Sequence, residues 1–427
     1  MKYIKENDKG MFDRLGITLG CMYLFFTYLG GSVFFPSILT RITLMLFLGY
    51  GALSALSRLN NGTFVLSKYS IWYGVVICYV VITFPLSSYQ NSINSNHFYE
   101  MIICFALTLL LSVFVNSEKE VCWICWTYVL SSILMIFLMY RSGKLVGNYK
   151  ERLGEDILGN ANIFATFIMY SVMYALWLLI YRKYNKWTNV FLCVCILLNI
   201  YALMLSAGRK FFMVPFIFLF ILLLMKNDKN DSLSARNAIK YVFLMAIIIG
   251  VLYFVITQVP VFYNAIGIRM EQFVNSLTGG GKADMSSILR SQMRAAAIEG
   301  WLQKPIFGNG FDAFKYLKST EVLGGSRAYS HCNYTEMLYN GGIVCWLLYY
   351  SIFGIMIREI IKRKEISRQF RAFSIAAIIS QFVLDYGGVF YDIIASQIYI
   401  MLAIKMTEFT DEDNCRIQGN ESRYING

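Results

Sequence analysis

A chain of 427 residues that is 57% hydrophobic and only 15% charged is not a soluble globular protein, where about a quarter of residues carry charge. Its formal net charge of +12 is spread over the segments between apolar runs, so it gives no ground for expecting a nucleic-acid partner. Strand-length alternation of the membrane-barrel type is absent from the sequence, which leaves an all-α polytopic membrane protein as the fold class.

Apolar runs of roughly 20 residues, enough to cross a ~30 Å hydrocarbon core as helix, recur along the chain. They predict about twelve transmembrane helices, near 15–33, 38–57, 69–88, 98–116, 121–140, 161–181, 188–206, 210–226, 239–258, 336–357, 370–387 and 389–408. The opening MKYIKENDKGMFDR mixes acids with lysines and no small-residue cleavage site follows it, so the first run reads as a retained helix. Residues 259–335 form a loop far longer than an ordinary connection. The expected organisation is therefore spans one to nine over 1–258, a long extracytoplasmic catalytic loop over 259–335, spans ten to twelve over 336–408, and a tail over 409–427.

Lysine and arginine placement sets the orientation. The N-terminal lysines, Arg182, Lys183, Lys186, the 226–240 segment and the run from Arg358 to Arg371 fall on one side, read as cytoplasmic, together with both termini. On the opposite side cations gather in three segments: 141–152, the pair Arg209 and Lys210, and the long loop. The segments near 89–97 and 386–391 contain neither lysine nor arginine.

That concentration works against the positive-inside bias, so it asks for a chemical reason. Guanidinium is permanently charged and makes forked hydrogen bonds to phosphate oxygens. NYKERLGEDILGNANIFA supplies Arg152, Asn160 and Asn162, and LSAGRKFF supplies Arg209 and Lys210. SSILRSQMRAAAIEGWLQKPIFGNGF predicts a helix capped by Ser286 or Ser287. Ile288, Met293, Ala296 and Trp301 lie along one side of it, and Pro305, Gly308 and Gly310 end it. Arg290 and Arg294 stand at i and i+4, on one face. Singly, each arginine reads as a snorkelling anchor or a partner of Glu151, Glu155 or Asp156. Together, they predict a site for a membrane-embedded anion such as a lipid diphosphate.

In SHCNYTEMLYNGG, His331 precedes Asn333, Glu336 and Asn340, which share one face of an entering membrane helix. Polar groups there must face protein or a water-filled cavity. Histidine titrates near neutrality and suits a general base, and Glu336 could orient it or bind sugar hydroxyls. Asp385 and Asp392 flank the 386–391 turn as either wet loop ends or part of the site wall. No metal or cofactor is called for: Cys122 and Cys125 form a CxxC, but two histidines in the whole chain do not make a zinc site. GGGK at 279–282 lacks the rest of a P-loop and reads as a hinge, and the acids within 410–415 read as solvated charge.

The succession LSAGRKFF, ILRSQMRAAAIEGWLQKPIFGNGFDAF and SHCNYTEMLYNGGIVCWLLYY, with NANIFA before it, resembles the O-antigen ligase/polymerase superfamily, bacterial membrane enzymes that join lipid-linked glycans. The resemblance runs from 152 to 350. Arg209 matches the family's arginine at a short outer connection, and Arg290 its arginine on a loop helix. Pro305, Gly308 and Gly310 match a Pro-x-x-Gly-x-Gly stretch, and His331, Asn333, Tyr334 and Gly342 a histidine motif with a downstream glycine. Cys332 stands where asparagine often follows the histidine, Cys345 replaces a common second glycine, and Ala161 replaces the proline of an Asn-Pro-Asn turn.

The resemblance implies a C-type glycosyltransferase in the bacterial inner (plasma) membrane, using an undecaprenyl-diphosphate-linked oligosaccharide in the outer leaflet. Arg209 and Arg290, with Arg294, Arg152 and Lys210, would hold the diphosphate. His331 would take the acceptor proton, inverting the anomeric centre without a metal. Asn162, Asn333, Tyr334 and Glu336 would contact substrate. The Glu336-containing form is closer to O-antigen and capsule polymerases of polysaccharide biosynthesis than to lipopolysaccharide ligases, with a chain-length regulator and a flippase as partners. Ligation to lipid A-core is the alternative within the class, and a lipid-linked-oligosaccharide flippase the alternative outside it. A flippase calls for charges within several spans and short loops, whereas here the polar groups gather at one face.

Overall fold

The computed structural model describes residues 2–84, 96–148, 150–226, 235–278, 285–317 and 329–409. The glycine run at 279–282, the acids within 410–415 and the segment 89–95 lie outside the described residues. Every regular element among those described is helical. In chain order these are α1 (Lys2–Leu29), α2 (Ser37–Asn60), α3 (Lys68–Thr83), α4 (Asn96–Phe114), α5 (Glu118–Arg141), α6 (Glu155–Leu158), α7 (Ala161–Tyr181) and α8 (Lys186–Leu205). There follow α9 (Arg209–Lys226), α10 (Ala235–Gln258), α11 (Pro260–Phe262), α12 (Ile268–Thr278), α13 (Met285–Gln303), α14 (Asn333–Lys362), α15 (Arg368–Gly387) and α16 (Ile394–Met406).

Seven helices among the described residues are long and apolar enough to cross a membrane: α2, α4, α5, α7, α8, α10 and α14. A polytopic all-α membrane protein follows. The apolar runs at 69–88 and 389–408 yield shorter helices, α3 with 16 residues and α16 with 13. At 1.5 Å per residue α16 is about 20 Å long, too short for the hydrocarbon core. Its apolarity has another cause: every residue from Ala395 to Met406 is buried within the protein, against α15, α4, α3 and α7. Helix α7 is likewise central, whereas α2 and α10 leave most of their apolar surface exposed, as contact with lipid requires.

Helix α14 is broken. At Gly342 the backbone takes φ 66° and ψ −170°. An unbroken helix would bond the amides of Ile343 and Val344 to the carbonyls of Tyr339 and Asn340. Instead Ile343 N–H donates to Pro305 O (2.9 Å) and Val344 N–H to Ile306 O (3.4 Å). The vacated Tyr339 and Asn340 carbonyls accept from the amides of Asn309 and Gly310, both at 2.8 Å. The 305–310 turn is thereby spliced into the helix ladder. Only glycine permits this approach, since a Cβ on Gly342 would lie 2.2 Å from Ile306 O and one on Gly308 2.5 Å from Gly342 N.

Helix α13 packs on the upper part of α14 through Met293, Ala297 and Gly300, which meet Phe314 and Tyr339. The sequence pattern places Ile288, Met293, Ala296 and Trp301 on the packed side; of these Met293 is buried and Ile288 is 39% exposed. The i, i+4, i+7 stripe of Met293, Ala297 and Gly300 prevails because Gly300 lets the Tyr339 ring lie against the helix backbone.

Candidate active site

Three sequence-distant segments converge at the end of the bundle opposite the cationic end of α14. The 150–153 stretch docks on the turn after α8, where Leu153 N–H donates to Leu205 O (3.2 Å). This presents Arg152, whose Nε donates to Ser206 O (2.8 Å) and whose Nη2 donates to Asn162 Oδ1 (2.9 Å). Asn162 in turn stands on the first turn of α7, where Asn160 Oδ1 caps the helix by accepting from its amide (2.8 Å). The turn between α8 and α9 closes with Ala207 at φ 53°, which starts α9 at Arg209.

Arg209 ties α9 to the long loop. Its Nη1 donates to Arg269 O (3.0 Å), its Nη2 to Ser287 Oγ (3.3 Å), and its guanidinium lies 5.1 Å from the Phe273 ring centre. Arg152 is pushed down to about 10, chiefly by burial, then by Arg269, with Arg290 and Arg209 adding and Glu155 opposing. The charges of Arg269, Arg290 and Arg209 therefore all reach Arg152. Lys210 donates to Gly387 O (2.6 Å) between the rings of Phe211 and Phe390. Arg294 sits over the Tyr386 ring at 5.1 Å.

His331 faces this group. It occupies the left-handed region at φ 56° and its ring lies 4.5 Å from that of Tyr329. Burial lowers its pKa to about 4, helped by the charges of Arg290 and Lys210, so the imidazole is neutral at pH 7. A neutral imidazole has a lone pair to accept a proton.

The face Asn333, Glu336 and Asn340 points into protein. Asn333 is fully buried; its Nδ2 donates to Tyr350 Oη (3.0 Å) and Asp385 Oδ2 (3.4 Å), and its Oδ1 accepts from Phe390 N–H (3.2 Å). Glu336 accepts from Ser330 N–H (2.7 Å) and Asn340 Nδ2 (3.0 Å), and Asn340 Oδ1 accepts from Phe314 N–H (3.1 Å). These side chains brace the turn that carries His331. Tyr334 stacks on Tyr350 and donates to Phe382 O (3.0 Å). Cys332, the departure beside the histidine, is buried, and its carbonyl accepts from Ser330 Oγ (2.9 Å).

On the other side of Tyr329 lies an acidic group. His97 Nδ1 hydrogen-bonds Asp392, Glu100 stands 3.9 Å from the same nitrogen, and the His97 and Tyr329 rings are 6.3 Å apart. His97, Glu100 and Asp392 each bring one ligand atom within 4.8 Å of the others, the grouping among the described residues that could hold a metal ion. Asp385 and Asp392 are buried, so they are not wet loop ends. Arg269 and His97 escape sequence reasoning. Arg269 is one of eight loop cations with no motif around it, and His97 follows a segment notable there only for lacking lysine and arginine.

Compared with known proteins, residues 191–350 match a family model described as O-antigen ligase. That stretch runs from α8 into α14 and holds Arg209, Lys210, Arg290, Arg294, the 305–310 turn and His331. Arg152, Asn162 and the acidic group fall outside it. No curated protein matches the chain.

Proposed function

From the premise that this chain is a member of the O-antigen ligase/polymerase superfamily, we propose that it is an O-antigen or capsule polymerase. It transfers a glycan from a lipid diphosphate to a sugar hydroxyl of another lipid-linked repeat unit. The observation that carries the reading is that Arg209 bonds both Arg269 O and Ser287 of the long loop, with Arg152 in the field of Arg209, Arg269 and Arg290, while Arg290 and Lys210 act on a neutral His331. Like charges held together in a partly buried site repel, and a diphosphate relieves that repulsion.

In this reading the guanidinium groups and Lys210 bind the donor diphosphate and stabilise the charge that grows on it as the anomeric C–O bond breaks. The acceptor hydroxyl forms the new C–O bond from the opposite face, with inversion, and His331 receives its proton. The bound diphosphate offsets the fields of Arg290 and Lys210, so His331 becomes a stronger base when donor is present. Asn162 orients Arg152, while Asn333 and Glu336 position the histidine turn. Lysine and arginine placement supports a site on the extracytoplasmic face, and the donor lipid in this reading is an undecaprenyl carrier.

Purified protein in liposomes, supplied with a lipid-linked repeat unit, should lengthen chains. His331→Ala should lower transfer by about 10²-fold or more while donor binding persists; wild-type rates in that variant would remove the base assignment. The match of residues 191–350 to a family described as O-antigen ligase also supports ligation as a second reading, and transfer of glycan to lipid A-core rather than to another repeat unit would establish it.

A further inference from the structure

We propose that the turn Leu302–Phe307 is a membrane anchor, inserted in the hydrocarbon of the leaflet on the site side and not held in the aqueous loop. Its depth follows from its bonds. Pro305 and Ile306 carbonyls accept from Ile343 and Val344 N–H, so the turn lies level with those residues of α14. The cationic end of α14 begins at Arg358, and Gly342 is sixteen residues away, about 24 Å along a helix. A hydrocarbon core of ~30 Å measured from Arg358 therefore ends beyond Gly342.

The side chains agree with that depth. Leu302 is 63% exposed, Ile306 56% and Phe307 55%, on a turn whose backbone is bonded into α14. One helical turn below Ile343, Leu347 is 56% exposed, and the exposed Ser351 and Gly354 continue the same edge, so the patch joins the lipid-facing surface of a spanning helix. Trp301, whose Nε1 donates to Pro305 O (3.0 Å), and Lys304 flank the apolar tip. An indole and a long-stemmed ammonium suit the interface level, with the lysine head reaching towards phosphates. The occupant of the patch is thus acyl chain. This depends on the register of α14 and not on the proposed reaction.

Wild-type protein in nanodiscs containing a phosphatidylcholine with a diazirine-bearing acyl chain provides the test. Photolysis and peptide mapping should place lipid adducts within 301–307 as well as on α10. In parallel, bimane on Leu302→Cys or Phe307→Cys should be quenched by brominated acyl chains and shielded from aqueous iodide, relative to bimane on Lys144→Cys. Adducts on α10 but none within 301–307 would overturn the proposal. So would iodide quenching at 302 and 307 equal to that at 144. Neither readout involves glycan transfer, so loss of activity leaves the result intact.

Discussion

His331 shows how one side chain couples site chemistry to stability. Its folded pKa of about 4 lies below the ordinary 6.5. Between those values the unfolded chain binds a proton that the folded chain refuses, so stability is intact above about pH 6.5 and falls as pH drops towards 4. At about 1.4 kcal/mol per unit the loss is on the order of 3 kcal/mol. The melting temperature of the wild type should therefore drop between pH 7.5 and 4.5 by more than that of His331→Gln. Asn162 offers a milder test. Removing the acceptor for Arg152 Nη2 costs about 1 kcal/mol of positioning, so Asn162→Ala should raise the donor KM roughly fivefold with kcat little changed. At this scale the sequence identifies the cations and the histidine, because their chemistry is distinctive wherever they point. It does not tell whether Asn333 and Glu336 face substrate or protein. A shared helical face is a matter of spacing, but what covers that face is a matter of tertiary packing.

Among the elements, α14 is the most constrained. Gly342→Ala would place a Cβ 2.2 Å from Ile306 O in an essentially glycine-only conformation that costs an L-residue about 1–3 kcal/mol by itself. The clash adds to this, and a large drop in melting temperature or in monodisperse yield is expected. Gly354→Ala, in the same helix with nothing near its Cβ, should be tolerated. The Pro-x-x-Gly-x-Gly stretch is legible as a helix stop, since proline and glycine end helices for local reasons. That it repairs a gap in another helix is not, because the partners lie 30 to 38 residues apart. The apolar run at 389–408 exceeds the 13-residue α16 for a related reason: hydropathy records burial, and burial in protein resembles burial in lipid.

For the molecule as a whole, the polar groups divide into a cationic side and an acidic side, with Tyr329 between them. Its hydroxyl is pushed up by burial and then by Asp392, while Arg290 opposes. Inorganic diphosphate should raise the melting temperature of the wild type, since a ligand at a hundred times its Kd stabilises by about 2.7 kcal/mol. The shift should vanish in Arg209→Ala and Arg290→Ala. Transfer should also persist in EDTA if fixed guanidinium groups supply the charge; inhibition there, relieved by a divalent ion, would direct attention to His97, Glu100 and Asp392. Polytopic helical architecture is plain from composition, since no soluble core could absorb so much apolar surface. The acidic side was obscure because His97 and Asp392 are distant in sequence and meet only when α4 packs beside α16.

The splice at Gly342 also bears on biogenesis. Residues 305–310 leave the ribosome before α14, yet they bond to its third and fourth turns. While α14 inserts, Tyr339 and Asn340 carbonyls are available to Ile343 and Val344 N–H, so the helix can cross the bilayer intact. With the turn in place, four bonds between the segments stand where a continuous helix would have two, and the amides of Ile343 and Val344 and the carbonyls of Tyr339 and Asn340 are all paired. The splice therefore cannot close until Ile343 and Val344 have been added to the chain, so the site is completed by a segment made more than thirty residues after the turn it bonds.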